Sequence, residues 1–400
     1  MTRTLVLIFS LGCVSFLSAD PSLVIRLRIF PQTAKIFVDG TPAPSTPENS
    51  TIRDVSLPNG TARVSFTAFG WRPLSAKIPA QVLSGAVWSL KLEPLGSFLR
   101  QAAEFRVGTK PRALAFSSDS SEIAVATSDG LLAYSASGQA LPSLTQAGFF
   151  SDVTEVPSIH EIWALKDDGS LFFLDAATLK LKSKTSWGGT GNGSLALIDP
   201  SHMAVLSWDQ ESLASVGLAT HQVGQPQDLA DMTTSAAALP ASSGGGWAVS
   251  EFQQGNIDWF DAQGHPAGST RIGGSPRALA TAGTLLWVAN MATGTLTALD
   301  LGTRKPSLSV DVGPNPQTLV LSPDGKILAV ALRGTNNPQD YTKPGPDFGK
   351  IIFLDPQTGK ILGYVWGREQ PMGLAWSPDS RFVAFTDYLS NDVEVYRVNH

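Results

Sequence analysis

Two arginines in this chain each directly follow a proline, in Lys110-Pro111-Arg112 and Ser275-Pro276-Arg277. Paired N–H donors of that kind can grip an anionic group. Backbone carbonyls and nearby acids could equally satisfy them. Arg368, in Gly367-Arg-Glu-Gln-Pro371, is a third candidate. A second set lies in segment 333–349, which carries Arg333, Asp340, Tyr341, Lys343, Asp347 and Phe348 among three prolines and three glycines. Other chemistry finds no support. The histidines are His160, His202, His221, His265 and His400, and no pair has His-x-x-x-His metal spacing. The glycine runs at Gly188 and Gly244 lack the Lys-Ser/Thr of a phosphate loop, and there is no Gly-x-Ser-x-Gly elbow. No catalytic residue, resident cofactor or metal ligand is therefore assigned.

These residues sit on a repeated frame. Seven short β-type runs open at Ile123, Trp163, Met203, Trp247, Trp287, Leu328 and Phe382, with steps of 40, 40, 44, 40, 41 and 54 residues. A strand-based period near 40 predicts a β-propeller. Each unit reads as a four-stranded meander. A Gly-x-x-Pro turn leads into strand one, as at Gly108, Gly273 and Gly313. The run above is strand two. Strand three ends in Asp, as at Asp175, Asp261, Asp300 and Asp355, where a carboxylate can accept N–H bonds of the next turn. Trp163, Trp247 and Trp287 share one repeat position on this alignment and are expected to pack between units. The last unit has three strands, so strand 98–107 is expected to complete it and hide both edges.

The rest of the chain bounds the setting. Of 400 residues, 16% are charged and the net charge is −5; with no basic run, nucleic acid is not an expected partner. Residues 1–19 read as a signal peptide: Arg3, an apolar stretch from Leu5 to Leu17, then Ser18-Ala19. That stretch is too short to span a bilayer, so no transmembrane span is expected in the mature chain. Leu11-Gly12-Cys13 resembles a bacterial lipoprotein box, so a lipid anchor at Cys13, the sole cysteine, is an alternative. Residues 20–95 read as a small β-sandwich with turns at Asp39-Gly40 and Asn59-Gly60.

Two resemblances follow. Pro31 and Ala34 leading to Phe37-Val38-Asp39-Gly40, then Leu57-Pro-Asn-Gly60 and Phe69-Gly-Trp71, resemble the PEGA domain, an accessory module of bacterial exported proteins. Gln32 and Thr33 depart from that family's middle residues. Residues 96–400 resemble the bacterial YVTN propellers, relatives of WD40 and NHL repeats, with Trp287-Val-Ala-Asn290 nearest the name-giving strand. The expectation is all-β: a seven-bladed β-propeller preceded by a small β-sandwich.

In such a meander the loops before strand one and after strand two emerge on one face. That face would carry Arg112, Arg277, Arg368 and the insertion with Arg333, Tyr341, Lys343 and Phe348. Arg112, Asp152, Asn192, Ala236, Arg277, Gln317 and Met372 would ring the channel mouth. The insertion marks a binding site or a tolerated surface loop. The resulting expectation is an exported, non-enzymatic scaffold in the periplasm or envelope of a bacterium, with a protein or cell-envelope partner. The alternative is a propeller enzyme, of the lactonase or quinone-dependent dehydrogenase type, with a metal near the mouth. One acid in that ring makes a poor calcium cage, which needs several oxygen ligands.

Overall fold

The computed structural model describes residues 23–398 apart from 31, 33, 39, 40, 47–51, 62, 69–73 and 93–97. The expected signal peptide, Cys13, and Pro31, Thr33, Asp39, Gly40 and Phe69 to Trp71 of the PEGA-type pattern lie outside the described residues. The described chain is all-β, with only short helical turns such as Ala80–Leu83. It divides into two compact units, Met1–Leu92 and Glu93–His400.

The first unit holds two sheets. Leu23–Phe30 lies between Arg53–Leu57, antiparallel to it, and Val87–Lys91, parallel to it. The second sheet orders Thr41–Pro42, Lys35–Val38, Arg63–Thr67 and Leu74–Lys77. Period-two alternation sends Ile25, Leu27 and Ile29 inward while Val24 stays exposed. Phe66 of one sheet meets Trp88 of the other edge-to-face, 5.7 Å between centroids, so the sheets share a core. The parallel pair needs a crossover between its strands. No pattern in the sequence announced it.

The second unit holds seven four-stranded antiparallel sheets. Six run in simple chain order, the first from Ala113–Phe116 through Glu122–Ala126 and Gly130–Ser135 to Ala140–Ala147. The seventh joins Pro371–Trp376, Phe382–Asp387 and Asp392–Val398 to Leu99–Arg106, in register from Asp392↔Arg106 to Val398↔Leu99. First strands of successive sheets touch, and that of the seventh returns to that of the first. Gly373 makes this return possible: a Cβ there would lie 2.7 Å from Ala113 Cα and 2.8 Å from the Arg112 carbonyl oxygen. The expected turn acceptors are in place. Asp175, Asp261, Asp300 and Asp355 each accept backbone N–H bonds from the following two to four residues.

The tryptophans need a correction. All three are buried between sheets, but they do not share one position. Trp163 and Trp287 stand three residues before Lys166 and Asn290, which pair with the starts of their first strands at Phe150 and Pro276. Trp247 stands four residues before its counterpart Glu251. A one-residue offset flips a strand side chain to the other face. Trp163 and Trp287 accordingly pack on the following sheet, with Met203 and Leu328, whereas Trp247 packs on the preceding one, with Leu206.

Candidate functional site

First strands of all seven sheets line one cavity of about 620 Å3. Its wall is largely alanine, leucine and threonine, including Ala113, Ala115, Ala196, Ala278, Leu319 and Thr318. Polar side chains of these strands stitch neighbouring sheets together. Asp152 accepts from the Leu195 N–H at 2.7 Å, Ser194 donates to the Thr234 carbonyl, Thr234 to that of Arg277, and Thr318 to that of Met372. Asp152 is thus a half-buried linker between the second and third sheets. Burial pushes its carboxyl up to about 6, against the pull of the Leu195 and Val153 amides.

At one end of the cavity two sets of side chains converge. The first comes from the starts of the first strands. In five sheets a register irregularity sits there, for instance between Pro276 and Ala278 and between Pro316 and Thr318. A bulge turns one side chain out of the ladder, and here those residues are Arg277 and Gln317. The pairing register replaces three of the expected ring members. Ser151, Ser194 and Thr234 stand where the sequence alignment placed Asp152, Asn192 and Ala236.

The second set follows the second strands. In every sheet one residue past that strand donates its N–H to the loop leading into strand one: Trp208 to Asn192, Met291 to Ser275, Arg333 to Asn315 and Tyr388 to Gln370, among others. Several acceptors carry a left-handed backbone just before proline, at φ of 55° for Ser275, 54° for Asn315 and 59° for Gln370. This repeated clasp fixes Trp208, Arg333 and Tyr388 around the mouth.

Arg112 and Arg277 both line the cavity, and the charge of Arg333 acts on Arg277 together with that of Arg112. Arg277 stacks on Trp208, 4.1 Å from its centroid, and the Gln317 amide oxygen accepts from its Nε and Nη2 at 2.8 Å. Loss of hydration, then the charges of Arg333 and Arg112, bring its pKa down to about 9. Arg112 lies between Phe149, at 4.6 Å, and Tyr388, at 5.3 Å. Arg333 stacks on Tyr341 at 5.7 Å and donates to the Gln370 amide at 2.8 Å. Burial lowers its pKa; Tyr388 and Tyr341 oppose this and Arg112 adds to it. Among the described residues no carboxylate pairs with any of the three. Asp167, at the same ring position as Trp208, is exposed. The Nε of Arg112 and of Arg333 are buried without a hydrogen-bond partner.

The other expected site residues fall elsewhere. Arg368 is not in the cluster: its guanidinium pairs with Glu104 and with Asp392, the latter at 3.5 Å. Phe348 is 3% exposed and belongs to the core beneath the insertion, because the chain must re-enter the sheet at Lys350. Lys343 is exposed and pairs with Asp340 at 3.5 Å. Tyr341, 62% exposed, is the insertion's outward ring. The insertion folds back on itself through Thr335 to Asp347 and Asn337 to the Pro344 carbonyl. Gln370 Nε2 holds it to the next sheet through the Tyr341 carbonyl at 2.6 Å.

Gln317 was expected in the ring and stands there beside Arg277, but sequence reasoning missed Trp208, Tyr388, Phe149 and Gln370 as members of the mouth. Part of the signal was present: Trp208 and Arg333 each lie five residues beyond Met203 and Leu328, in one column of the repeat alignment, whereas Tyr388 lies six beyond Phe382, one residue out of it. Among the described residues no three His, Cys, Asp or Glu side chains converge as a metal site, and no helix is long and apolar enough to cross a membrane.

No protein-family model matches the chain. Comparison with curated proteins finds a likeness to Antigen Lp49 of Leptospira interrogans serogroup Icterohaemorrhagiae serovar copenhageni (strain Fiocruz L1-130), 26% identical over 267 residues. That match takes in 62% of this chain and 57% of the leptospiral protein, so the chain spans little more than half of that relative.

Proposed function

We propose that the protein is an exported, non-enzymatic binding protein: a seven-bladed β-propeller carrying a small PEGA-like β-sandwich, acting in the periplasm or cell envelope of a bacterium. The face around Arg112, Arg277 and Arg333 engages a protein or envelope partner. One observation carries this reading. Arg112 and Arg277 line the cavity shared by all seven sheets, the charge of Arg333 acts on Arg277, and among the described residues all three are held by aromatic rings without a carboxylate partner. Self-repelling charge at a rigid mouth is unfavourable unless something negative occupies it. Likeness to a protein named as an antigen supports exposure outside the cytoplasm. The YVTN and PEGA resemblances support the architecture, and the cyclic contacts of the first strands support closure.

The test is deletion of residues 335–348, which carry Tyr341, followed by affinity capture from the native envelope. The expected result is loss of a partner that the intact protein retains. Undiminished capture would remove this face from the account. Metal analysis of the purified protein separates the enzyme alternative, which stoichiometric calcium would favour.

A further inference from the structure

We infer that the mouth binds a phosphate monoester, with the ester's organic body seated in the cavity behind it. This rests on the reading that the mouth face is the binding face. Charge is the first argument. The cluster brings three guanidiniums from the first, fifth and sixth sheets, each stacked on an aromatic ring and, among the described residues, without a paired carboxylate, so a dianion suits it better than a monoanion. Shape is the second. A carboxylate is planar and offers two oxygens, which one or two arginine forks satisfy. A phosphate monoester offers three peripheral oxygens at tetrahedral angles, matching donors that approach from separate sheets.

Donor supply is the third argument. Phe149, Tyr388, Trp208 and Tyr341 take up faces of the guanidiniums, and a stacked guanidinium keeps its in-plane N–H edge for an acceptor. Two of those donors, Arg112 Nε and Arg333 Nε, are buried without a partner. A buried unmade hydrogen bond is costly, so either side chain gains by turning that N–H toward a bound oxyanion. The cavity beyond, about 620 Å3, lies within the range of small-molecule sites; alanine and leucine alternate in its wall with polar groups such as Thr154, Glu155 and Ser235, which suits an organic body of mixed polarity.

The experiment is calorimetric titration of the full-length protein at neutral pH with phenyl phosphate, inorganic phosphate and dimethyl phosphate. Phenyl phosphate should saturate with a Kd below about 1 mM. Inorganic phosphate should bind several-fold more weakly, for want of a body. Dimethyl phosphate, a monoanion that mimics the diesters of lipid headgroups and envelope polymers, should bind at least tenfold more weakly. Arg277→Gln and Arg333→Gln should each weaken phenyl phosphate at least tenfold. Arg333→Lys, which keeps the charge, covers the case in which the glutamine variant misfolds; it should lose several-fold because it lacks the fork. Arg381→Gln, on an exposed turn paired with Asp379, should bind as the unaltered protein does. Absence of saturation, equal affinity in the cluster variants, or a diester that binds as tightly as the monoester would each overturn the assignment. Envelope capture that depends on 335–348 would survive that failure, so the two readings fail separately.

Discussion

Arg277 opens the first strand of the fifth sheet, yet its guanidinium lies 4.1 Å from the ring centroid of Trp208, which belongs to the third sheet. The contact passes over the fourth sheet and ties loops that no backbone ladder joins. It also explains why a cation tolerates the mouth: the ring face offsets part of the lost hydration. Trp208→Ala should therefore destabilise the protein by about 1–2 kcal/mol, measured by urea unfolding at neutral pH. An unchanged midpoint would mean that the stack carries no weight.

The first strand of the seventh sheet approaches that of the first at Gly373. The nearest atoms to an added Cβ are backbone, which cannot rotate away. Gly373→Ala should cost about 2–3 kcal/mol as overpacking and lower the urea midpoint. The same change at Gly325, where a Cβ meets nothing within 4 Å but φ is +72°, should cost only about 1 kcal/mol of backbone strain. Equal losses at both positions would contradict the tight return.

Much of this frame was legible in the sequence, and the reasons are physical. A strand repeats its side-chain face every two residues and a four-stranded meander repeats about every 40, so Ile123, Leu328 and Phe382 could be placed on second strands from spacing alone. The sequence hid face and bulge. Trp247 looked equivalent to Trp287 because 40 residues separate them, but the pairing register is one residue out and only the ladder reveals it. Asp152 looked like a mouth residue until the irregularity between Phe150 and Asp152 moved Ser151 into that place. Of the arginines, Arg112 and Arg277 converge with Arg333, while the acids that hold Arg368 come from distant segments, one at Glu104 and one at Asp392. No local pattern signals such pairs.

Asp152 gives a pH signature. Its folded pKa, about 6, lies above its ordinary 3.8. The folded state then holds a proton that the unfolded chain has released, so this group's contribution is full below pH 3.8 and is lost as pH rises through 6. Asp152→Asn should flatten the stability profile between those values, by on the order of 2–3 kcal/mol relative to the unaltered protein. Urea unfolding across that range reads the difference. Parallel profiles would show that the carboxyl is better hydrated than its burial implies.

Glu161 behaves with the opposite sign. It is 4% exposed and accepts from Trp163 Nε1 at 2.9 Å, from Lys182 and from His221 Nε2 at 2.8 Å. Burial raises its pKa, but Lys182, Trp163 and His221 outweigh burial and leave it below the ordinary value of 4.5. Its stabilising contribution is present above pH 4.5 and lost as pH falls below it. Glu161→Gln should cost about 2 kcal/mol at neutral pH, less than a fully buried pair because Lys182 is half exposed. The loss should shrink toward pH 3, and a constant loss would point to packing instead of charge.

The central claim is that the arginine-lined mouth is the surface by which this protein binds. The most direct measurement places a photo-crosslinking residue at Tyr341, on the mouth, and another at Arg381, on the turn between the first two strands of the seventh sheet, in cells exporting the protein. The account predicts a discrete adduct from position 341 that disappears when Arg112, Arg277 and Arg333 are all changed to glutamine, and none of that identity from position 381. The same adduct from both positions, or one from 341 that ignores the arginines, would contradict it.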